Sequence, residues 1–309
     1  MRSRIWLAIA LAALGWGSSG VASRAALLEG AEAFTLIALR LVIAVAVLFT
    51  FFWLSRTAPT RQPGVWWRGG LLGFVGMAAP SLLFTHALNH ISAGLRGMIM
   101  GLIAIATVVW AHFIVEGERL DSKVMGGMLV GLSGVVMLVL SGETGIAGGG
   151  NLLRGATLAL IGVVAAGLGS ALSRRYMLRY SILDLAGPQF VVGAAVGLLA
   201  WSVFGHFDLG GFTIKVWLLV AYLGVVGTTM PFLALLWASR LGTATRVSVV
   251  GYLVPVITLI GGLMFLNEQL TWQMVLGGTL IITGVLIVNR LAASRQSGVS
   301  AQVVAGEDG

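Results

Sequence analysis

Residues 246–285 read RVSVVGYLVPVITLIGGLMFLNEQLTWQMVLGGTLIITGV, and residues 96–135 read RGMIMGLIAIATVVWAHFIVEGERLDSKVMGGMLVGLSGV. Laid over each other without a gap, Arg246 falls on Arg96, Gly251 on Gly101, Glu268 on Glu118 and Leu270 on Leu120. Gly277 then falls on Gly127, Gly284 on Gly134 and Val285 on Val135. An offset that brings an Arg and a Glu into register together with the glycines marks a unit used twice.

Working outward, composition sets the solvent. The chain is 58% hydrophobic and 10% charged, with a mean hydropathy of +0.99. A soluble domain carries about 25% charged residues, so this chain cannot cover a water-facing surface and belongs in a lipid bilayer. It has no Cys, which excludes disulfides and thiolate metal sites. Apolar runs predict ten spans: residues 5–23, 33–54, 66–88, 93–115, 123–141, 152–172, 184–204, 212–237, 243–266 and 272–290. Most have the ~20 residues a helix needs to cross ~30 Å of hydrocarbon, and only helices satisfy their own backbone there. Residues 5–23 follow Arg2 and Arg4 and share features of a signal peptide; we read them as the first span, because the repeat needs five.

The cations fix an orientation. One side of the ten-span reading holds 14 Lys and Arg, the other holds four (Arg24, Arg96, Arg154 and Lys215), and Arg40 lies within a span. The excess places both termini in the cytoplasm. It also explains the net charge of +8 as topology signals over short loops, without a nucleic-acid partner. Because five is odd, the second set enters the membrane upside down. The fold class is therefore an all-α membrane protein of ten transmembrane helices in two inverted five-helix repeats, an architecture used by secondary transporters. Residues 1–145 form the first repeat, 151–292 the second, and 293–309 a polar tail expected to be disordered and cytoplasmic. Gly148-Gly149-Gly150 reads as a flexible joint between the halves. No phosphate-binding G-x-x-x-x-G-K-[ST] run is present.

Trp16-Gly17-Ser18, Ala38-Leu39-Arg40, Ala93-Gly94-Leu95 and Glu116-Gly117-Glu118-Arg119-Leu120 followed by Gly126-Gly127 carry a family likeness. Pro255, Asn267-Glu268-Gln269-Leu270 and Gly277-Gly278 carry it in the second half. In this order, over roughly residues 5–290, the chain resembles the EamA-type transporters of the drug/metabolite transporter superfamily. The resemblance implies ten helices with cytoplasmic ends and a central cavity lined by helices 1–4 and 6–9. Helices 5 and 10 would pack outside. It also implies export of amino acids, related metabolites or drugs. One departure stands out: the proline that such proteins often carry in the fourth span is Ile105 here, so the kink is expected only at Pro255.

Among single residues Arg40 is the most informative. A charge at mid-span costs roughly 2.5–3.5 kcal/mol on insertion scales. It reads either as a cavity cation that meets a substrate carboxylate or as a carbonyl-bonded pin. The other cavity candidates are Trp16, Ser18, Phe84, Ser170, Trp237, Ser248 and Tyr252. Pro80, Pro231 and Pro255 are candidate helix breaks for gating. His86 and His90 share a face but read as interfacial packing, and no metal, cofactor or catalytic residue is expected. None of the 11 acidic residues lies in mid-span, which argues against exchange of protons for lipophilic cations. Glu118 and Glu268 read as caps of helix corners. The expected function is an ATP-independent carrier in the cell (inner) membrane. It would export small amphipathic metabolites such as amino acids by alternating access, as a monomer or weak homodimer. The alternatives are a multidrug exporter and an intramembrane lipid-modifying enzyme.

Overall fold

A computed structural model describes residues 2–56, 62, 64–116, 120–146, 149–206, 209–241 and 249–307, with the side chains of Arg2 and of 292–307 left outside. Ten helices cross the membrane: α1 (Arg2–Leu28), α2 (Ala33–Leu54), α3 (Val65–Ala87), α4 (Ala93–Ile114) and α5 (Ser122–Leu140) in the first half. The second half holds α6 (Leu152–Met177), α7 (Ile182–Phe204), α8 (Ile214–Leu241), α9 (Val249–Leu266) and α10 (Trp272–Glu307). Each matches a predicted span to within a few residues. Arg246 and Ser248, like Glu118, fall outside the described residues. The last helix continues past Leu291 to Glu307, where composition led us to expect a disordered tail. Extending a formed helix needs far less than starting one.

Several starts are written in the sequence. Ser92 accepts the Leu95 N–H at 3.1 Å, Asn151 the Arg154 N–H at 2.9 Å, and Thr213 the Val216 N–H at 3.3 Å. Each is an N-cap that satisfies a donor the first turn leaves free. The outward faces carry large apolar side chains, among them Trp53, Phe113, Leu129, Leu199, Ile214 and Phe265. Surface of that kind is stable only against lipid.

The main helix pairings are their own image when the halves are exchanged, whereas the lesser contacts of α1 with α4, α2 with α3 and α4 with α10 are weaker or absent in the exchanged sense. α5 packs on α10, α4 on α9 and α2 on α7, each pair mapping onto itself. α1 packs on α9 as α6 packs on α4, α1 on α8 as α6 on α3, and α2 on α8 as α7 on α3. The α5–α10 seam shows why the repeat-defining glycines recur. A Cβ at Gly134 would lie 2.5 Å from the Gly277 carbonyl oxygen, and one at Gly284 would lie 2.6 Å from the Gly127 carbonyl oxygen. Exchanging the halves turns the first contact into the second, so the same patch meets itself. Only glycine allows two backbones this close.

Two helices change pitch at matching places. α3 is π-helical over Gly73–Ala78, just before Pro80, and α8 is π-helical over Val225–Thr229, just before Pro231. Proline has no N–H to give, so the carbonyl four residues back needs another partner. The expectation at α4 and α9 is overturned. α4 is broken at Gly101–Leu102 although it has no proline, whereas α9 runs unbroken through Pro255. A Cβ on Gly101 would lie 3.7 Å from the Pro255 ring, so the proline faces the break across the interface instead of making one in its own helix. Gly148 of the Gly148-Gly149-Gly150 joint lies outside the described residues, and the chain just before it is bonded to both halves. Ser92 N–H donates to the Thr144 carbonyl at 2.9 Å, and Gln269 N–H to the Gly145 carbonyl at 3.3 Å.

Candidate substrate site

Arg40 of α2 is directed at the middle of α8. Its Nε donates to the Thr228 hydroxyl at 2.7 Å and its Nη2 to the Gly227 carbonyl at 3.3 Å. Gly227 lies four residues before Pro231, so it owns the carbonyl that the proline leaves free. Thr228 in turn donates to the Leu223 carbonyl at 2.7 Å. Thr229 bonds the Gly224 carbonyl and, across the interface, the Ala44 carbonyl, each at 3.1 Å. The π-helical stretch thus becomes a polar island held by hydroxyls, and one arginine docks on it. Arg40 bonds a carbonyl, as the pin reading requires, and does so deep between helices instead of snorkelling to the interface.

A second arginine was placed wrongly by sequence reasoning. Arg96, counted among the outer-loop cations, lies inside α4 and is only 5% exposed. Its guanidinium sits 5.9 Å from the centre of the Phe84 ring, and its Nε is buried without a partner among the described residues. Gly20 of α1 faces its Nη2 so closely that no Cβ would fit, and Thr258 of α9 closes the other side. Arg96 meets α1 at Gly20, and Gly227, whose carbonyl Arg40 bonds, meets it at the neighbouring Ser19. Glu268 is already committed. Its Oε1 accepts the Ala93 N–H at 2.6 Å and its Oε2 the Gly94 N–H at 3.0 Å, so a side chain of the second half caps a helix of the first. The corner-capping role expected of Glu268 is met in this way. Arg24 of α1, next to this corner, donates to the Leu88 carbonyl. The signal for Arg96 was present in the sequence: it falls three residues inside a predicted span.

The remaining candidates divide. Phe84 is buried beside Arg96. Trp16 packs against the α1–α8–α9 core around Ala234 and Val254. Ser18 is hydrogen-bonded by Tyr222 of α8 at 2.7 Å and by its own helix, away from the arginines. Ser170 bonds the Ala166 carbonyl at 2.9 Å within α6. Trp237 lies half-exposed near the end of α8, and Tyr252 accepts from Asn289 of α10 at 2.6 Å. Ser248 is outside the described residues. The structure therefore joins Arg40 and Phe84 around Arg96 and leaves the others dispersed.

A separate cavity of about 370 Å³ opens where α3 begins and α4 and α6 end, lined by Trp67, Arg68, Glu116, Arg175, Tyr176 and Tyr180 among others. Arg68 lies 5.2 Å from the Tyr180 ring centre and 5.9 Å from that of Tyr176. His86 packs on Phe34 with ring centres 4.4 Å apart and planes tilted by 58°, its Nε2 buried without a partner among the described residues. His90, beyond α3, is held below the ordinary histidine pKa, by burial first and then by Arg154. Among the described residues no three His, Cys, Asp or Glu side chains gather where a metal could sit.

Two inverted helix bundles around a polar island define a membrane transporter fold. The family model for the EamA-like transporter family matches residues 3–140 and again 153–290. The chain belongs to the EamA-like transporter family of multi-pass membrane proteins. An uncharacterized transporter of Archaeoglobus fulgidus is 23% identical over 288 residues, which is 93% of this chain and 98% of that one. A protein of Streptantibioticus cattleyicolor named a probable terminal-alkyne amino-acid exporter is 25% identical over 230 residues, 73% of this chain and 74% of its own. One crystal structure shares the fold with a TM-score of 0.64 at 24% identity, covering 95% of this chain and 99% of that one.

Proposed function

We propose that the protein is an ATP-independent carrier of the cell (inner) membrane, with both termini in the cytoplasm. It exports small amphipathic metabolites, amino acids or their relatives, by alternating access. The observation that carries this reading is the helix pairing that survives exchange of the halves. Two arrangements related by that exchange have similar energy and face opposite sides of the membrane. The described conformation fits the inward-facing one. From mid-membrane outward α1, α4 and α9 meet through Gly17, Gly97 and Thr258, with Thr258 donating to the Gly17 carbonyl at 2.8 Å, while the 370 Å³ cavity opens at the inner end beside α3, α4 and α6. The exporter named in Streptantibioticus cattleyicolor supports the substrate range. A multidrug pump for lipophilic cations fits less well, because no acidic side chain lies in mid-span.

The natural chain has no Cys, so single cysteines report without background. In oriented vesicles, Ser294→Cys labels with an impermeant maleimide only from the cytoplasmic face, and Glu143→Cys only from outside. Labelling of Ser294→Cys from outside refutes the orientation. In proteoliposomes, preloaded amino acids drive counterflow of the labelled compound. Absence of counterflow for every amino acid, metabolite and drug tried removes the carrier reading.

A further inference from the structure

Arg40 and Arg96 present a problem in charge balance. Each is a full cation between helices, where uncompensated charge is expensive. Among the described residues the acidic groups at this end are spent elsewhere. Glu29 is paired with Lys215 at 2.6 Å. Glu32 accepts from the Thr35 hydroxyl at 2.8 Å and the His206 N–H at 2.9 Å. Glu268 uses both oxygens on backbone N–H groups. Glu32 keeps its charge but stands at the N-cap, the outer end of α2, about two turns from Arg40. Glu268 is the one carboxylate that acts on Arg24 and Arg96, so three arginines face one acid, an excess of two positive charges.

Both arginines are tied to neighbouring residues of α1, Arg96 directly at Gly20 and Arg40 through Gly227 at Ser19. Gly20 faces Arg96, while a Cβ on Gly227, the residue bonded by Arg40, would lie 3.0 Å from the Ser19 Cβ. Arg96 has a buried Nε with no partner. Among the described residues Arg40 donates only from Nε and Nη2, to Thr228 and Gly227, which leaves its Nη1 donors unused. Arginine pairs are the side chains best matched to carboxylate or phosphate oxygens, because their planar donors bind two at once.

We propose that Arg40 and Arg96 form a clamp for a small dianion, a metabolite with two carboxylates or one phosphate, and that this is the charge class of the cargo. The clamp rests on the carrier reading above but moves its cargo from neutral amino acids to their doubly anionic relatives, since a zwitterion would leave one arginine unmatched. It also explains how export runs without a membrane-embedded acid to couple protons. A potential of 100 mV, negative inside, favours the outside by roughly a thousandfold for a divalent anion. The membrane potential alone then drives the exit of such a cargo.

The test is counterflow in proteoliposomes with three probe sets: dianions (C3–C6 dicarboxylates and C3–C4 phosphate esters), neutral amino acids, and the lipophilic cation tetraphenylphosphonium. The wild type takes up a dianion, and an imposed inside-negative potential speeds its exit. Arg40→Gln and Arg96→Gln each lower that flux about tenfold to a hundredfold, whereas Arg96→Lys keeps part of it. Thermal unfolding of each purified variant shows whether it still folds. In the wild type the dianion raises the melting temperature, and in a folded Arg96→Gln it does not. Counterflow of amino acids or of the cation with no competition from any dianion overturns the clamp and spares the carrier. Full dianion flux in a folded Arg96→Gln also overturns it. No counterflow with any probe fails the carrier reading and takes the clamp with it.

Discussion

Two crossings occupy equivalent places in the two halves. At one, α2 meets the π-helical stretch of α8, and Arg40 binds Gly227 and Thr228. At the other, α7 meets the π-helical stretch of α3. There Gln189 stands where Arg40 would be, Gly76 and Met77 precede Pro80 as Gly227 and Thr228 precede Pro231, and the backbone of Gln189 lies directly against Gly73. The backbone device is the same, but only one copy carries charge. The symmetry therefore belongs to the motion and the packing, while the polarity of the site belongs to one half. A carrier needs both: near-equal states to exchange, and one defined place to hold the cargo.

The largest way to break this comparison is to move the charge. Gln189→Arg buries a cation at a crossing with no hydroxyl to receive it, and lowers stability by about 2.5–3.5 kcal/mol, read as a fall in the melting temperature in detergent. A loss below about 1 kcal/mol would mean that the Gly76 carbonyl, freed by Pro80, can play the part of Gly227. Next comes a test of the symmetric element. Gly134→Leu and Gly284→Leu both force the α5–α10 seam apart, and each costs about 1–3 kcal/mol. Equal losses fit the two-fold contact; a large loss at one position alone contradicts it. Smaller still, Thr228→Val removes the acceptor of Arg40 Nε and costs about 1 kcal/mol, with a clear loss of flux. The matching Met77→Leu changes neither stability nor flux by much, because it conserves volume and apolarity. The smallest effect is expected at the outer ends. Lys215 pairs with Glu29, whereas the matching positions in the other half are Gly64 and Arg179. Lys215→Ala costs at most about 1 kcal/mol in low salt and less as salt rises, because the pair is exposed.

The family resemblance on the page and the family model agree, and most of the fold was legible for a simple reason. Length and hydropathy define a span without reference to any neighbour, and an odd number of spans in each repeat forces the inversion. The glycine register of residues 96–135 and 246–285 announced the α5–α10 seam as well, since Gly127, Gly134, Gly277 and Gly284 are the residues that touch there. The break in α4 was not legible. It falls at Gly101–Leu102, opposite Pro255 of another helix, whereas α9 itself stays helical through that proline.

The site shows the same division more sharply. Arg40 could be singled out because a charge inside an apolar run stands out wherever it points. Arg96 is just as deep, yet its nearness to a predicted helix end made it look like a loop residue. The sequence alone determined the solvent, the number of spans, the repeat, and the presence of one intramembrane cation, because each follows from local composition and period. Only the tertiary structure decided that a second cation lies beside the first and that Glu268 is spent on the first turn of α4. Charge balance is a sum over groups brought together from distant parts of the chain, and no single stretch of sequence contains that sum.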